Sequence, residues 1–151
     1  MCLIVDNDVA HWVFGAPLSV DAVPIWQWLK KDGKLIFGGK LEAELKENHA
    51  IRRLLVQLER AGRAFRPSVT EVNVQQEALQ RTGLVRSNDP HVLALAAVTG
   101  ARTLVTSDRM LMADFRNRRL LSPRGRIYRR ALHRKLLVHT PGCQGYREGR
   151  R

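Results

Sequence analysis

Four carboxylates in this chain abut apolar segments, where a charge needs a reason. Asp6 ends the run Cys-Leu-Ile-Val, Glu44 lies in a helix after a short apolar stretch, Asp89 opens an apolar helix, and Asp108 follows Leu-Val-Thr-Ser. Each also has a local explanation. Asp89 before Pro90 suits a helix N-cap with proline at the first helical position. Asp108 and Asp6 suit caps as well, and Glu44 could simply face solvent. Taken together the four point to chemistry: carboxylates gathered in one crevice repel unless cations neutralise them. Hard oxygen donors suit Mg²⁺ or Mn²⁺, and such an ion lowers the pKa of a bound water and so serves hydrolysis. Glu42 competes with Glu44 for one place in the set. On a helix with Leu41 and Leu45 inward, the two glutamates flank the apolar stripe on opposite sides, and periodicity alone does not choose.

The elements that must position these acids alternate. Cys2 to Val5 predicts a buried strand, Asp8 to Phe14 a short helix, and Pro24 to Lys31 a helix stopped by Asp32-Gly33. Trp26 and Trp28 then fall on roughly opposite sides, one core and one surface. Leu35 to Phe37 predicts a second strand, followed by helices over about 40–48 and 51–61. A brief strand at 64–66 and a polar helix over 71–81 come next. Val92 to Val98 is apolar nearly all round, as in a helix buried on most sides, and Gly100 stops it. Leu104-Val105 predicts another core strand and Asp108 a further helix. Such alternation implies a mainly parallel sheet covered on both faces, a three-layer α/β/α arrangement. In such sheets ligands bind beyond the carboxyl ends of the strands, where strand order reverses. Asp6 and Asp108 occupy such ends, and Asp89 can join from a helix amino terminus.

The 151 residues are 44% apolar and 26% charged, enough for one packed domain. No apolar run reaches a membrane span and no signal-like amino terminus is seen, so a cytoplasmic protein without a membrane partner is expected. Cys2 and Cys143 have no metal-knuckle or redox spacing and are expected as reduced thiols. The net charge of +12 is uneven. Residues 1–115 hold 14 Lys/Arg and 13 Asp/Glu, whereas residues 116–151 hold 12 Lys/Arg and one acid, Glu148. A block of that density attracts a polyanion, nucleic acid above all. Arg109, Arg116, Arg118, Arg119, Arg124, Arg126, Arg129 and Arg130 are its candidate phosphate contacts. Leu136 to His139 predicts a strand within this tail, and the apolar residues from Ile127 to Leu137 predict that part of it docks.

The motifs Leu3-Ile4-Val5-Asp6, Glu44-Leu45, Asn88-Asp89-Pro90-His91-Val92-Leu93-Ala94-Leu95-Ala96 and Leu104-Val105-Thr106-Ser107-Asp108 resemble, in order, those of PIN-domain nucleases. The resemblance covers about residues 2–115. It implies a nuclease core over 1–115 with residues 116–151 as a basic extension, and assigns Asp6, Glu44, Asp89 and Asp108 as catalytic ligands of Mg²⁺ or Mn²⁺. Glutamate followed by leucine matches the second motif better at Glu44 than at Glu42, and Asp114 matches an additional acid of some members. The implied activity is metal-dependent hydrolysis of RNA. The family includes VapC-type toxins, ribonucleases silenced by a partner antitoxin, and its members often form homodimers. Two other readings stand beside this one. Asp6-Asn7-Asp8 partly imitates the nucleophile and acid pair of haloacid-dehalogenase-type phosphatases, although Ala10 departs from that motif. A non-catalytic RNA-binding protein on the same fold would use the basic tail alone. His91 could approach the acids or be a structural histidine. His11, His49, His133 and His139 show no zinc spacing.

Overall fold

The computed structural model describes residues 2–138. Five short strands form one sheet: β1 (Cys2–Val5), β2 (Lys34–Ile36), β3 (Ala64–Phe65), β4 (Thr103–Val105) and β5 (Arg126–Tyr128), in the order β3-β2-β1-β4-β5 with every neighbouring pair parallel. Parallel strands require crossovers, and helices supply them on both faces. These are α1 (Ala10–Val13), α2 (Val23–Lys31), α3 (Gly39–Leu45), α4 (His49–Arg60), α5 (Val69–Arg81), α6 (Pro90–Thr99), α7 (Arg109–Phe115) and α8 (Arg134–Val138). The three-layer α/β/α arrangement with a parallel central sheet is as expected from the alternation of elements.

The central strands are buried on both faces, so their sequences read as unbroken apolar runs. α6 reads the same way because α3 and α5 pack on it beneath the sheet, leaving Val92 to Ala96 inaccessible to solvent. It ends where Gly100 takes the left-handed conformation, φ 82°, which a side chain would disfavour. α4 is amphipathic by contrast, burying Ile51, Leu55 and Leu58 on one stripe, with Asn48 capping its first turn. Trp28 is core and Trp26 half-buried, its indole N–H donating to Val13 O at 2.8 Å.

Three expectations need correction. Residues 136–138 are helical, part of α8, and the strand of the basic region is Arg126–Tyr128 instead; His139 lies outside the described residues, as does Cys143. Tyr128 is fully buried there and its hydroxyl donates to Asp21 O at 2.7 Å, which fixes β5 against the turn before α2. The Asp8-to-Phe14 segment divides into a 3-10 turn over Asn7–Val9 and the single-turn α1. Cys2, wholly buried in β1, is disulfide-bonded, so a reduced thiol is not what this position holds. Among the described residues no helix is long and apolar enough to cross a membrane.

Candidate functional site

Strand order reverses between β1 and β4, the strands adjacent at the centre of the sheet. The register pairs Val5 with Val105, so the residues after them, Asp6 and Thr106, emerge side by side at the carboxyl ends. The backbone N–H of Asp6 donates to Val105 O at 2.9 Å, extending the ladder one step into the crevice. Asp6 is 5% exposed. Its Oδ1 accepts the Asn7 N–H and its Oδ2 accepts the Thr106 hydroxyl, both at 2.8 Å. Burial, then the negative charges of Asp8 and Asp89, push its pKa from the ordinary 3.8 up to about 7, although the Thr106 hydrogen bond pulls the other way.

Asp8, which the sequence offers only as the second acid of a phosphatase-like pair or as a helix-start or supporting acid, is the acid knitted most closely to Asp6. Its carboxylate accepts the Ser107 N–H at 3.1 Å and the Ser107 hydroxyl, and it lies 3.4 and 3.5 Å from the Thr106 hydroxyl. Thr106 Oγ1 in turn accepts the Asp108 N–H at 3.1 Å. One hydroxyl therefore joins the loops that follow β1 and β4. Only the alternation Thr-Ser-Asp after a core strand hinted at this, because both residues cap turns readily.

The three aspartates suspected as caps part company. Asp108 is a cap: its Oδ1 accepts the N–H groups of Met110 and Leu111 at 2.9 and 3.2 Å. Asp6 caps the 3-10 turn through Asn7. Asp89 caps nothing with its side chain; only its backbone carbonyl serves the first turn of α6. Its carboxylate is one-quarter exposed and lies 4.0 Å from His91 Nδ1.

Glu44 and Glu42 separate by partner. Glu42 is bound to Lys46 Nζ and Arg66 Nε, each at 2.7 Å, and burial notwithstanding these cations hold its pKa below the usual range. Glu44 faces α6 instead, with Oε1 3.3 Å from His91 Nε2 but without hydrogen-bond alignment. Burial, then the charges of Asp89 and Glu47, raise its pKa against the pull of Lys40. His91, 4% exposed, is held below its ordinary pKa chiefly by burial, outweighing Asp89. Glu44 Oε1 and His91 Nε2 are thus buried polar atoms with no hydrogen-bond partner among the described residues, and such atoms are costly unless something satisfies them.

Asp114 is buried elsewhere on α7. Its two oxygens accept the N–H groups of Arg86, at 3.1 Å, and Ser87, at 2.8 Å, which pins the loop that delivers Asp89. The arginines divide between the two ends of the sheet. Arg129, just past β5, lines a cleft of about 290 Å³ with Trp12, Asp21, Thr106 and Ser107, beside the acids; Arg130 follows it and Arg109 opens α7. Arg116, Arg124 and Arg126 instead line a cleft of about 400 Å³ with His133 and Lys135, reaching the amino end of β5. Arg119 lines a third cleft with Asp114, and Arg118 is exposed.

Among the described residues no three His, Cys, Asp or Glu side chains already form a metal-coordinating group. The donor type is nevertheless one a hard divalent cation takes: the charges of Asp8 and Asp89 bear on the buried Asp6, Asp89 bears on Glu44 as well, and Glu44 Oε1 lacks a hydrogen-bond partner. Comparison with known families, curated proteins and solved structures found no match. The fold is a general α/β topology of the kind that carries enzymes.

Proposed function

We propose that this protein is a divalent-metal-dependent nuclease of the PIN type that hydrolyses RNA. The observation that supports the reading is Asp6 at the reversal point of a parallel sheet, so burdened by burial and by the charges of Asp8 and Asp89 that its pKa rises to about 7, with Asp89 also raising the pKa of Glu44. Enzymes of open α/β sheets place their ligands at that point.

Asp6, Glu44 and Asp89 would hold Mg²⁺ or Mn²⁺, with Asp108 contributing the oxygen its cap leaves over. Bound there, such an ion would lower the pKa of a water and offset charge on the phosphate. The chain's own contribution is positioning. Thr106 holds Asp6 by its Oδ2, Asp8 ties the two loops together through Ser107, and Asp114 fixes the stretch before Asp89. Arg129, which lines the cleft with Thr106 and Ser107, would meet a phosphate of the strand.

The test is cleavage of a labelled structured RNA with Mn²⁺ or Mg²⁺, with EDTA, and by Asp89→Asn. Because Asp89 makes no cap bond with its side chain, that variant should fold normally and lose metal-dependent cutting. Tight RNA binding without cutting under any metal would instead leave a non-catalytic RNA-binding protein.

A further inference from the structure

The loop that delivers Asp89 also walls a second cleft, of about 490 Å³, between the start of α3, the later turns of α5 and the first turn of α6. Gln76 and Gln80 stand one turn apart on the same face of α5, Asn88 and Ser87 face them from the loop, Lys40 stands at the rim and His91 lies at the base. Val85 and Pro90 supply apolar wall. Among the described residues the side chains of Gln76, Gln80 and Asn88 make no hydrogen bond, and the buried His91 Nε2 has no hydrogen-bond partner.

Three free amides in a cleft without carboxylates are suited to a flat ligand that carries donors and acceptors side by side. A nucleobase edge is such a ligand, and a Gln or Asn amide meets adenine at N6 and N7 together. Sequence-specific recognition of RNA works mainly on unpaired bases splayed out of the stack. His91 links the two places: it lines the cleft and its Nε2 lies 3.3 Å from Glu44 Oε1. A nucleotide with its base in the cleft would therefore carry its phosphate toward the acids, past the Lys40 ammonium.

We propose that this cleft is a base-specificity subsite, taking one unpaired base of the strand beside the phosphate that is cut, with adenine the best match. Gln76 and Gln80 read the base edge, Asn88 closes over it and Lys40 meets the flanking phosphate. The proposal takes its substrate class from the nuclease reading.

The experiment is fluorescence anisotropy of short labelled oligoadenylate, oligouridylate and oligocytidylate in EDTA, with the wild-type protein and a Gln76→Ala/Gln80→Ala variant whose Tm is checked. Both positions are on a helix surface where alanine is well tolerated. The wild type should bind oligoadenylate about tenfold more tightly, within the range for a bidentate amide–base pair, and the variant should bind all three alike. Mapped cleavage with Mn²⁺ should cluster beside adenines for the wild type and scatter for the variant. No base preference in the wild type, or a preference that the variant keeps, overturns the subsite. An RNA that is never cut, but whose base-selective binding the variant loses, overturns the nuclease reading and leaves the subsite standing.

Discussion

Replacing Asp6 by asparagine should stabilise the metal-free protein, and the size of the gain should depend on pH. In the folded chain the Asp6 pKa lies near 7, against an ordinary 3.8. The folded state therefore holds the proton more tightly, and between these values stability falls as pH rises; above the folded pKa the whole cost of an ionised Asp6 is felt. At 1.36 kcal/mol per pH unit that cost has a ceiling of about 4 kcal/mol. Asparagine removes it but can accept only one of the two hydrogen bonds, from Asn7 N–H and Thr106 Oγ1, that Asp6 accepts through separate oxygens. The lost acceptor costs about 1–2 kcal/mol. Asp6→Asn should thus be more stable than wild type by about 2 kcal/mol at about pH 8.5, and nearly equal to it at about pH 5. Urea denaturation in EDTA at both values measures this. An advantage independent of pH, or a variant less stable at the higher value, would refute the reasoning. Adding Mn²⁺ should then stabilise the wild type and leave the variant unmoved, since only a state that binds the ion gains from it.

Asp108→Ala should cost about 1 kcal/mol of stability through loss of the α7 cap, while Asp108→Asn keeps the cap acceptor and should cost little; a loss of RNA cleavage by both variants would separate its chemistry from its capping. Gly125→Ala should lower stability by about 2 kcal/mol in thermal denaturation, because a Cβ there would fall 2.0 Å from the Phe115 ring and 2.8 Å from its carbonyl oxygen. Arg129→Ala should weaken RNA binding whatever the sequence and reduce the slope of log affinity against log salt by about one, measured by titration across ionic strength.

What the sequence declared well were features written within one turn or one strand. The apolar run of α6 announces its burial, and the two core strands that run into Asp6 and Thr106 announce a parallel sheet. What it could not declare depended on where distant segments meet. Asp8 is close in sequence to Asp6 but earns its place from Thr106 and Ser107, almost a hundred residues on. The choice between Glu42 and Glu44 turned on Arg66 and His91, which lie on different elements. Asp114 looked like one more acid for the crevice, whereas its oxygens are taken up by amides of a loop whose approach no periodicity predicts. β5 is not legible in the sequence because Arg-Ile-Tyr is only three residues long and sits in a basic run, and β pairing favours it only once Thr103 to Val105 lie alongside.

That pairing also bears on solubility. β4 would otherwise be the outer strand of the parallel sheet, presenting the backbone edge of Thr-Leu-Val to any other chain that could extend it. Arg126–Tyr128 occupies that position and brings arginines on either side of its two apolar residues, charges that resist further strand addition. The arginine-rich stretch therefore guards the molecule against polymerising with its own kind, and trimming it away would be expected to yield aggregates before it yielded a smaller domain.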